Sequence, residues 1–497
     1  MPAEERIKAK AVATQLKRRA LALGLAYGFE YAAQFLLPVV LARCLDATAF
    51  GEYRLLWLAV GTLMAASTLA MPTSLYYFLP RSDAATKRLY VNQTILYLAA
   101  VGLIAAWAVS PWNPWLPEKM EAFARHGAIV PAFILLWLIA YLLDVLPTVE
   151  ERVAWQAKIT VGLAALRVVA LSLTAALTHD LASVFVVLLL LATLKIALLG
   201  GYVATQYGLG PPIFRKKVFG DQLKYAIPFG ISGALYDLRG HADQWVVAAL
   251  FSLSSFAAFS IGVILGPLVN LFRQAVNWSF MPSMSRLQAA GDISAMLDLN
   301  QRANVMVGTF VYPLLAFAFM FADDIVTFIY TDKYVAAASV MRVYIVSLAA
   351  LVIETASITF LLRQGTFVMR VNLVMLLLAV PTSWLLAQHV GLIGPAIGSV
   401  VAVYLDRALN LWRISRLTDI RVRRLQDWRS LSRTILFAVL AGAPAWFVVD
   451  RYLDTRTEFV QLAVGGAILA VVYGTLYVLF GIRRGWFASA NSPGHGL

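Results

Sequence analysis

Runs of about twenty apolar residues recur along the whole chain, and that length is what a helix needs to cross roughly 30 Å of hydrocarbon. Fourteen such runs can be cut from the sequence: 21–43, 54–79, 91–110, 126–147, 159–178, 183–205, 224–250, 257–277, 303–322, 336–362, 367–388, 391–412, 432–450 and 459–480. Hydrophobic residues make up 61% of the 497 positions and charged residues only 14%. A water-soluble domain of this length needs more charge to cover its surface. Strand barrels would instead show short alternating segments, which the sequence lacks. The expected class is an all-α polytopic membrane protein with about fourteen transmembrane helices. Several connections, such as Thr178 to Leu181 and Gln388 to Gly391, are only a few residues long. Neighbouring helices are therefore expected to form antiparallel hairpins.

Basic residues set the orientation. With the amino terminus inside, 28 of the 41 Lys and Arg fall in the inner segments or at the span ends beside them. The outer loops hold five: Lys119, Arg125, Lys333, Arg451 and Arg456. One miscounted helix would invert every later loop, so the alternation supports the count as well as the direction. Both termini are expected in the cytoplasm. The net charge of +14 is then a consequence of topology and of attraction to anionic membrane lipids, and it does not call for nucleic acid.

The expected organisation is a basic amphipathic arm at 1–20 and a first group of six helices at 21–205. A basic linker at 206–223 leads to a second group of six at 224–412. A basic interfacial segment at 413–431, two further helices at 432–480 and a tail at 481–497 complete the chain. Between Arg413 and Arg433 the arginines are interleaved with Ile414, Leu417, Ile420, Leu425 and Trp428, the pattern of a helix lying on the inner leaflet. No small-residue cleavage site follows a short apolar core near the start, so the first span is expected to be retained. The lone Cys44 allows no intramolecular disulfide and no metal cluster.

A repeat relates the two groups of six. Val39–Tyr53 reads VVLARCLDATAFGEY, and 206 residues later Trp245–Phe259 reads WVVAALFSLSSFAAF. The shift carries the first span onto the seventh and the second onto the eighth. Six spans per copy is an even number, so the copies share orientation and form a parallel repeat about an axis along the membrane normal.

Leu41-Ala-Arg-Cys-Leu followed by Phe50-Gly-Glu-Tyr53 resembles the motif near the start of the polysaccharide-unit flippases. These are the Wzx-type O-antigen and exopolysaccharide exporters of the MOP (MATE-like) superfamily. Ala242-Asp-Gln-Trp245 resembles a segment of that family's seventh helix, with Gln244 where the family usually has Arg. The resemblance implies a bacterial inner-membrane flippase for an undecaprenyl-diphosphate-linked oligosaccharide, working by alternating access of two helical halves. It also implies the polysaccharide polymerase and export machinery as partners. No cofactor is expected, and coupling to H+ or Na+ is the anticipated energy source. A cation-coupled drug or metabolite antiporter of the same fold is the alternative, and a polytopic glycan polymerase or ligase a more distant one. No GxxxxGK[ST], HExxH or GxSxG motif is present, and the outer loop from Pro111 to Arg125 is short, so no enzyme is expected.

Ionisable groups in hydrocarbon are costly enough that each is a functional-site hypothesis. The seventh span carries Asp237, Arg239, His241, Asp243 and Gln244. Asp237, His241 and Gln244 share one face, with Arg239 and Asp243 at i, i+4 on another. Pro228, Gly230, Gly233 and Gly240 predict that this span bends or unwinds. In the eighth span Asn270, Arg273, Gln274 and Asn277 form one stripe. A guanidinium flanked by amides suits a phosphate, although Arg273 at that depth also reads as a residue reaching back to the interface. Arg167 and Arg342 are further cavity candidates, while Lys195, Asp406 and Arg407 are less constrained. Glu30, beside Tyr27 and Gln34 in the first span, falls one residue from Asp237 under the repeat shift. Both carboxylates read as charge partners or coupling groups, with His241 and Asp243 beside them.

Overall fold

The computed structural model describes residues 24–26, 28–116, 118–208, 210–453 and 456–483. The basic arm at 1–20, Tyr27 and the end of the tail lie outside the described residues. Among those described the chain is helical, with no strand. The helices are α1 (Gly24–Cys44), α2 (Ala47–Ser67), α3 (Met71–Phe78), α4 (Ala84–Ala108), α5 (Glu121–Ala124), α6 (Ile129–Ala140), α7 (Leu142–Val149), α8 (Val153–Thr178), α9 (Leu181–Gln206) and α10 (Lys216–Leu250). There follow α11 (Leu253–Gly262), α12 (Leu265–Ala289), α13 (Ile293–Met320), α14 (Ala322–Tyr330), α15 (Ala336–Leu351), α16 (Ala356–Leu361), α17 (Gly365–Val390), α18 (Gly394–Thr418), α19 (Trp428–Tyr452) and α20 (Glu458–Arg483).

Among the described residues ten helical segments are long and apolar enough to cross a membrane, eleven when the bent pair α2–α3 is taken as one span. By length and hydropathy, then, the expected fourteen is not confirmed. The shortfall has three physical sources. Gly365–Thr418 counts once as a 54-residue segment, but α17 and α18 are separate helices that turn at Gly391 and pack on each other. The seventh run is helical as α10, yet its charged residues take it below the hydropathy a lipid span needs. The tenth run is broken into α15 and α16, and neither piece is long enough to cross alone.

Aspartates start five of the helices. Asp46, Asp83, Asp180, Asp292 and Asp427 each precede a first turn and accept its free backbone N–H groups. The negative charge also meets the positive end of the helix dipole. At Asp180 the backbone N–H of Ser183, together with its hydroxyl, holds the carboxyl below the usual range.

The chain divides into two compact units, one running to His241 with Ser252–Ser254, the other comprising Ala242–Phe251 and the rest. In the first, α4 packs on α6, α6 on α9 and α8 on α9. Its core gathers Leu75, Val91, Leu98, Leu142 and Leu146, all fully buried. In the second, α12 packs on α13, α15 on α18, and α19 on both α13 and α20. Met284, Met296 and Ile358 centre its core near one end, and Phe321, Ala441 and Ala445 a separate cluster.

The seventh span does not unwind. α10 runs unbroken for 35 residues through Pro228 and four glycines. One of those glycines serves close packing: a Cβ on Gly230 would lie 2.3 Å from the carbonyl carbon of Leu69. The break is instead in the second span, where Leu69 (φ 44°) and Ala70 (φ 57°) are left-handed and α2 and α3 meet at 47°. The Tyr97 hydroxyl donates to the Ser67 carbonyl freed there, at 2.7 Å. Irregular backbone within a membrane protein persists only where protein or a polar cavity satisfies it; here Tyr97 of α4 supplies the partner, and Gly230 of α10 packs against the turn.

Candidate functional site

Each unit holds a cluster of charged side chains among its described helices. In the second unit the centre is Glu354, in the break between α15 and α16. Its carboxylate accepts the backbone N–H groups of Ala356 and Ser357, which caps α16 in the manner of an aspartate at a helix start. From α13, Asn300 donates to the Glu354 carbonyl at 3.2 Å, and Asn304 accepts its N–H at 3.2 Å. The Asn304 amide then donates to Gln426 at 2.9 Å. Both faces of the interruption are therefore held by side-chain amides.

Arg273 reaches this cluster from α12. Its Nη1 lies 3.9 Å from Glu354 Oε1, close enough for strong attraction and too far for a hydrogen bond, while Nη2 donates to Asn270 at 3.1 Å. Arg273 and Asn277 are buried, and neither Arg273 Nε nor Asn277 Oδ1 has a hydrogen-bond partner. Gln274, expected on the same stripe, is exposed. The stripe thus splits: Arg273 and Asn277 turn inward, Asn270 steadies the guanidinium, and Gln274 takes no part. The reading of Arg273 as a snorkelling residue fails, because its charge is held by a carboxylate inside the unit. From α18, Arg407 donates to the Thr355 hydroxyl at 2.8 Å, next to Glu354 in sequence.

Arg342 lies elsewhere. It pairs with Asp323 and donates to the Phe319 carbonyl at 3.1 Å, at the far end of α13 from Asn300. Twelve residues separate Arg342 from Glu354, about 18 Å of helix. It is a partly exposed pair at the bundle end and is not part of the Arg273 cluster.

The first unit holds the second cluster. Lys195 on α9 bonds Asp144 on α7 at 2.7 Å and sits 4.9 Å from the ring centre of Trp137. Lys195 is eleven residues from one end of α9 and fourteen from the other, so the pair is deep in the span. Glu30 on α1 is in electrostatic range of Asp144, Arg167 and Lys195. Arg167 Nε is buried with no hydrogen-bond partner. Two acids and two bases from four helices therefore interact within one unit.

The charges of α10 behave differently from their helical-wheel reading. His241 Nδ1 donates to the backbone carbonyl of Asp237 at 2.8 Å and does not bond its carboxylate. Asp237 is exposed. Asp243 is buried, accepts the hydroxyl of Ser399 at 2.5 Å and takes the N–H of Gln244 at 2.7 Å. Arg239 lies 5.7 Å from the ring centre of Tyr236. Near the start of α10, Gln222 joins a fully buried chain: Gln93 donates to it, and it donates to Ser74 and Thr94.

Sequence reasoning missed several of these groups. Asp144 and Glu354 lie inside apolar runs read as continuous spans, and Gln93 carries no charge to draw notice. A carboxylate one or two residues before a small-residue pair, as in Glu354-Thr-Ala-Ser357, is the pattern of a helix start and could have flagged the break.

The comparisons agree with this architecture. The "Lipid II flippase MurJ" in an inward closed conformation aligns with a TM-score of 0.66 and 14% identity, over 92% of this chain and 99% of that one. An inward-facing multidrug-resistance MATE transporter of the MOP superfamily aligns at 0.57 and 14%, over 80% and 95%. A mutant of the Vibrio cholerae MATE transporter VcmN aligns at 0.54 and 12%, over 84% and 99%. At these identities the likeness is one of fold. No match was found among curated proteins. Residues 40–339, more than half of the chain and including the motif at Leu41–Tyr53, match the family model described as polysaccharide biosynthesis protein, and the chain belongs to that family.

Proposed function

We propose that this protein is a flippase that carries a lipid-linked, undecaprenyl-diphosphate-bound oligosaccharide across the bacterial inner membrane, with both termini in the cytoplasm. The observation that carries the reading is the buried Arg273 guanidinium, opposed by Glu354 at 3.9 Å and left with an unbonded Nε. Leaving a buried donor unbonded costs about 1–3 kcal/mol, so the site is suited to an anion that completes the fork. A diphosphate supplies such oxygens, and membership of a polysaccharide biosynthesis family supplies the context. The structurally similar MurJ is a lipid II flippase, which is consistent with a lipid-linked cargo.

In the proposed cycle the diphosphate and sugars occupy polar surface between helices while the prenyl tail stays in lipid. The two halves then alternate in access, coupled to H+ or Na+ through carboxylates such as Asp237 or Asp243. An antiporter for cations, as the MATE neighbours suggest by fold, is less favoured. Its carboxylates would have to be available, whereas Asp144 is bonded to Lys195 and Glu30 has two basic neighbours.

Arg273→Ala should abolish polysaccharide export at unchanged membrane abundance, with undecaprenyl-linked units accumulating inside. Arg273→Lys should restore export only in part, because an ammonium lacks the planar fork. Full export by the Ala variant at matched abundance would remove the basis of the assignment. For orientation, reporter fusions after Leu497 and within Arg413–Arg433 should both report cytoplasm; a periplasmic signal from either would refute the topology.

A further inference from the structure

A cavity of about 560 Å³ opens in the second unit between α13, α19 and α20, away from the Arg273 cluster. That volume falls in the range of small-molecule sites, roughly 300–1,000 Å³. Its lining changes character along α13. Asp298, Gln301 and Arg302 line it near the start of the helix, with Asp427 and Ser430 from the start of α19. Val305, Met306 and Phe310 follow, with Tyr477 of α20 across from them. From Asp298 to Phe310 is twelve residues, about 18 Å along the helix. Met306 and Phe310 are 46% and 58% exposed, so the apolar part is open along its side. A charged mouth above an open apolar groove matches a lipid with its headgroup at the surface and a chain along the helix.

The charges at the mouth decide which lipid. Two carboxylates and the Arg302 guanidinium line it, and Arg433 reaches its edge by donating to the Ser430 hydroxyl at 3.1 Å, so both signs are present in equal number. Asp298 and Arg302 stand one turn apart on α13, yet among the described residues neither makes an ion pair. Asp427 is engaged only through one oxygen, which accepts the Ser430 N–H at 3.0 Å. A diphosphate or an anionic headgroup would meet the two acids at the cost of like-charge repulsion. A headgroup carrying both a phosphate and a primary ammonium satisfies every charge present. Arg302 and the Ser430 hydroxyl would take the phosphate, and Asp298 and Asp427 the three ammonium N–H donors.

We infer that this cavity is a binding site for phosphatidylethanolamine, holding it between the ninth span and the two helices that follow the repeats. The inference does not depend on the flippase reading, since neither Arg273 nor Glu354 takes part. None of the arginines from Arg413 to Arg433 lines the cavity, and their attraction for anionic lipid is the competing influence.

The test is native mass spectrometry of the purified full chain, titrated with equal amounts of dioleoyl phosphatidylethanolamine, phosphatidylglycerol and phosphatidylcholine. The ethanolamine lipid should be retained several-fold more than either of the others. Choline is the sharper comparison, because its methylated nitrogen keeps the charge and loses the N–H donors. Asp298→Asn should bring the preference for ethanolamine close to unity while the protein keeps its mass and oligomeric state. Met306→Trp, which fills the groove without altering a charge, should lower retention of all three. Preferential retention of phosphatidylglycerol, no retained lipid, or an unchanged preference in Asp298→Asn would overturn the assignment. Displacement of the ethanolamine lipid by equimolar undecaprenyl phosphate would assign the cavity to the prenyl carrier instead.

Discussion

Replacing Glu354 by Ala should destabilise the protein by about 3–5 kcal/mol, the range for removing one partner of a buried ion pair. The carboxylate is 4% exposed and does two things at once. It faces the buried Arg273, and it accepts the N–H groups of Ala356 and Ser357 at the start of α16. Loss of the cap alone costs about 1 kcal/mol. The remainder comes from a guanidinium left among apolar side chains with Asn270 as its one hydrogen-bonded partner. Because Arg273 Nη1 and the carboxylate are 3.9 Å apart, the pair acts through charge more than through a hydrogen bond. A double-mutant cycle separates the two effects. Arg273→Met in the Glu354→Ala background should recover most of the charge term, a coupling of about 2–3 kcal/mol, and leave the cap term standing. Thermal unfolding in detergent, followed by tryptophan fluorescence, would read the series. A Glu354→Ala midpoint equal to wild type would mean that the arginine has found another anion, and the pairing described above would be wrong.

This cluster also marks where sequence reasoning stops. Hydropathy is a local, additive property, so apolar runs could be placed without knowing what packs on what, and their described residues are largely helical, although the count of fourteen is not confirmed. Whether a run is one helix or two is set by single residues. Leu69 and Ala70 have ordinary helix-forming side chains, and only contact with Gly230 and Tyr97 shows why the backbone turns left-handed there. Glu354 lay inside a run read as one span, and its partner Arg273 is 81 positions away. The glycines of α10 misled in the opposite direction: they permit bending, but close packing against Leu69 uses one of them and the helix stays whole. Arg342 was legible only in part. Its charge was visible, and its assignment to the cavity ignored Asp323 at the same end of the neighbouring helix.

The motif at Leu41–Tyr53 lies within the family match, and its geometry gives it a structural purpose from which a large effect follows. Asp46 caps α2 by accepting the N–H groups of Thr48 and Ala49 at 2.8 and 2.9 Å. Phe50 is fully buried, and the buried Glu52 bonds Arg125 at 2.9 Å and His126 at 2.7 Å. Between them, a Cβ on Gly51 would lie 2.0 Å from the carbonyl oxygen of Leu253 and 2.6 Å from its carbon. These are backbone atoms at the start of α11, so no rotamer change can relieve the overlap. Gly51→Ala must push α2 away from the 252–254 segment, which pulls Glu52 from its two basic partners and opens the packing around Phe50. Overpacking in a well-filled core costs about 1–3 kcal/mol, and an overlap with backbone lies at or beyond the top of that range. The expected result is loss of most correctly folded protein from the membrane fraction. Gly61→Ala supplies the control on the same helix. Nothing lies within 4 Å of its Cβ position, so it should leave yield unchanged or stabilise by about 0.5–1 kcal/mol through the better helix propensity of alanine. Size-exclusion profiles of fluorescent fusions, run side by side, would compare the two. Equal monodisperse yield from both variants would show that Gly51 is not held in place by the backbone of Leu253.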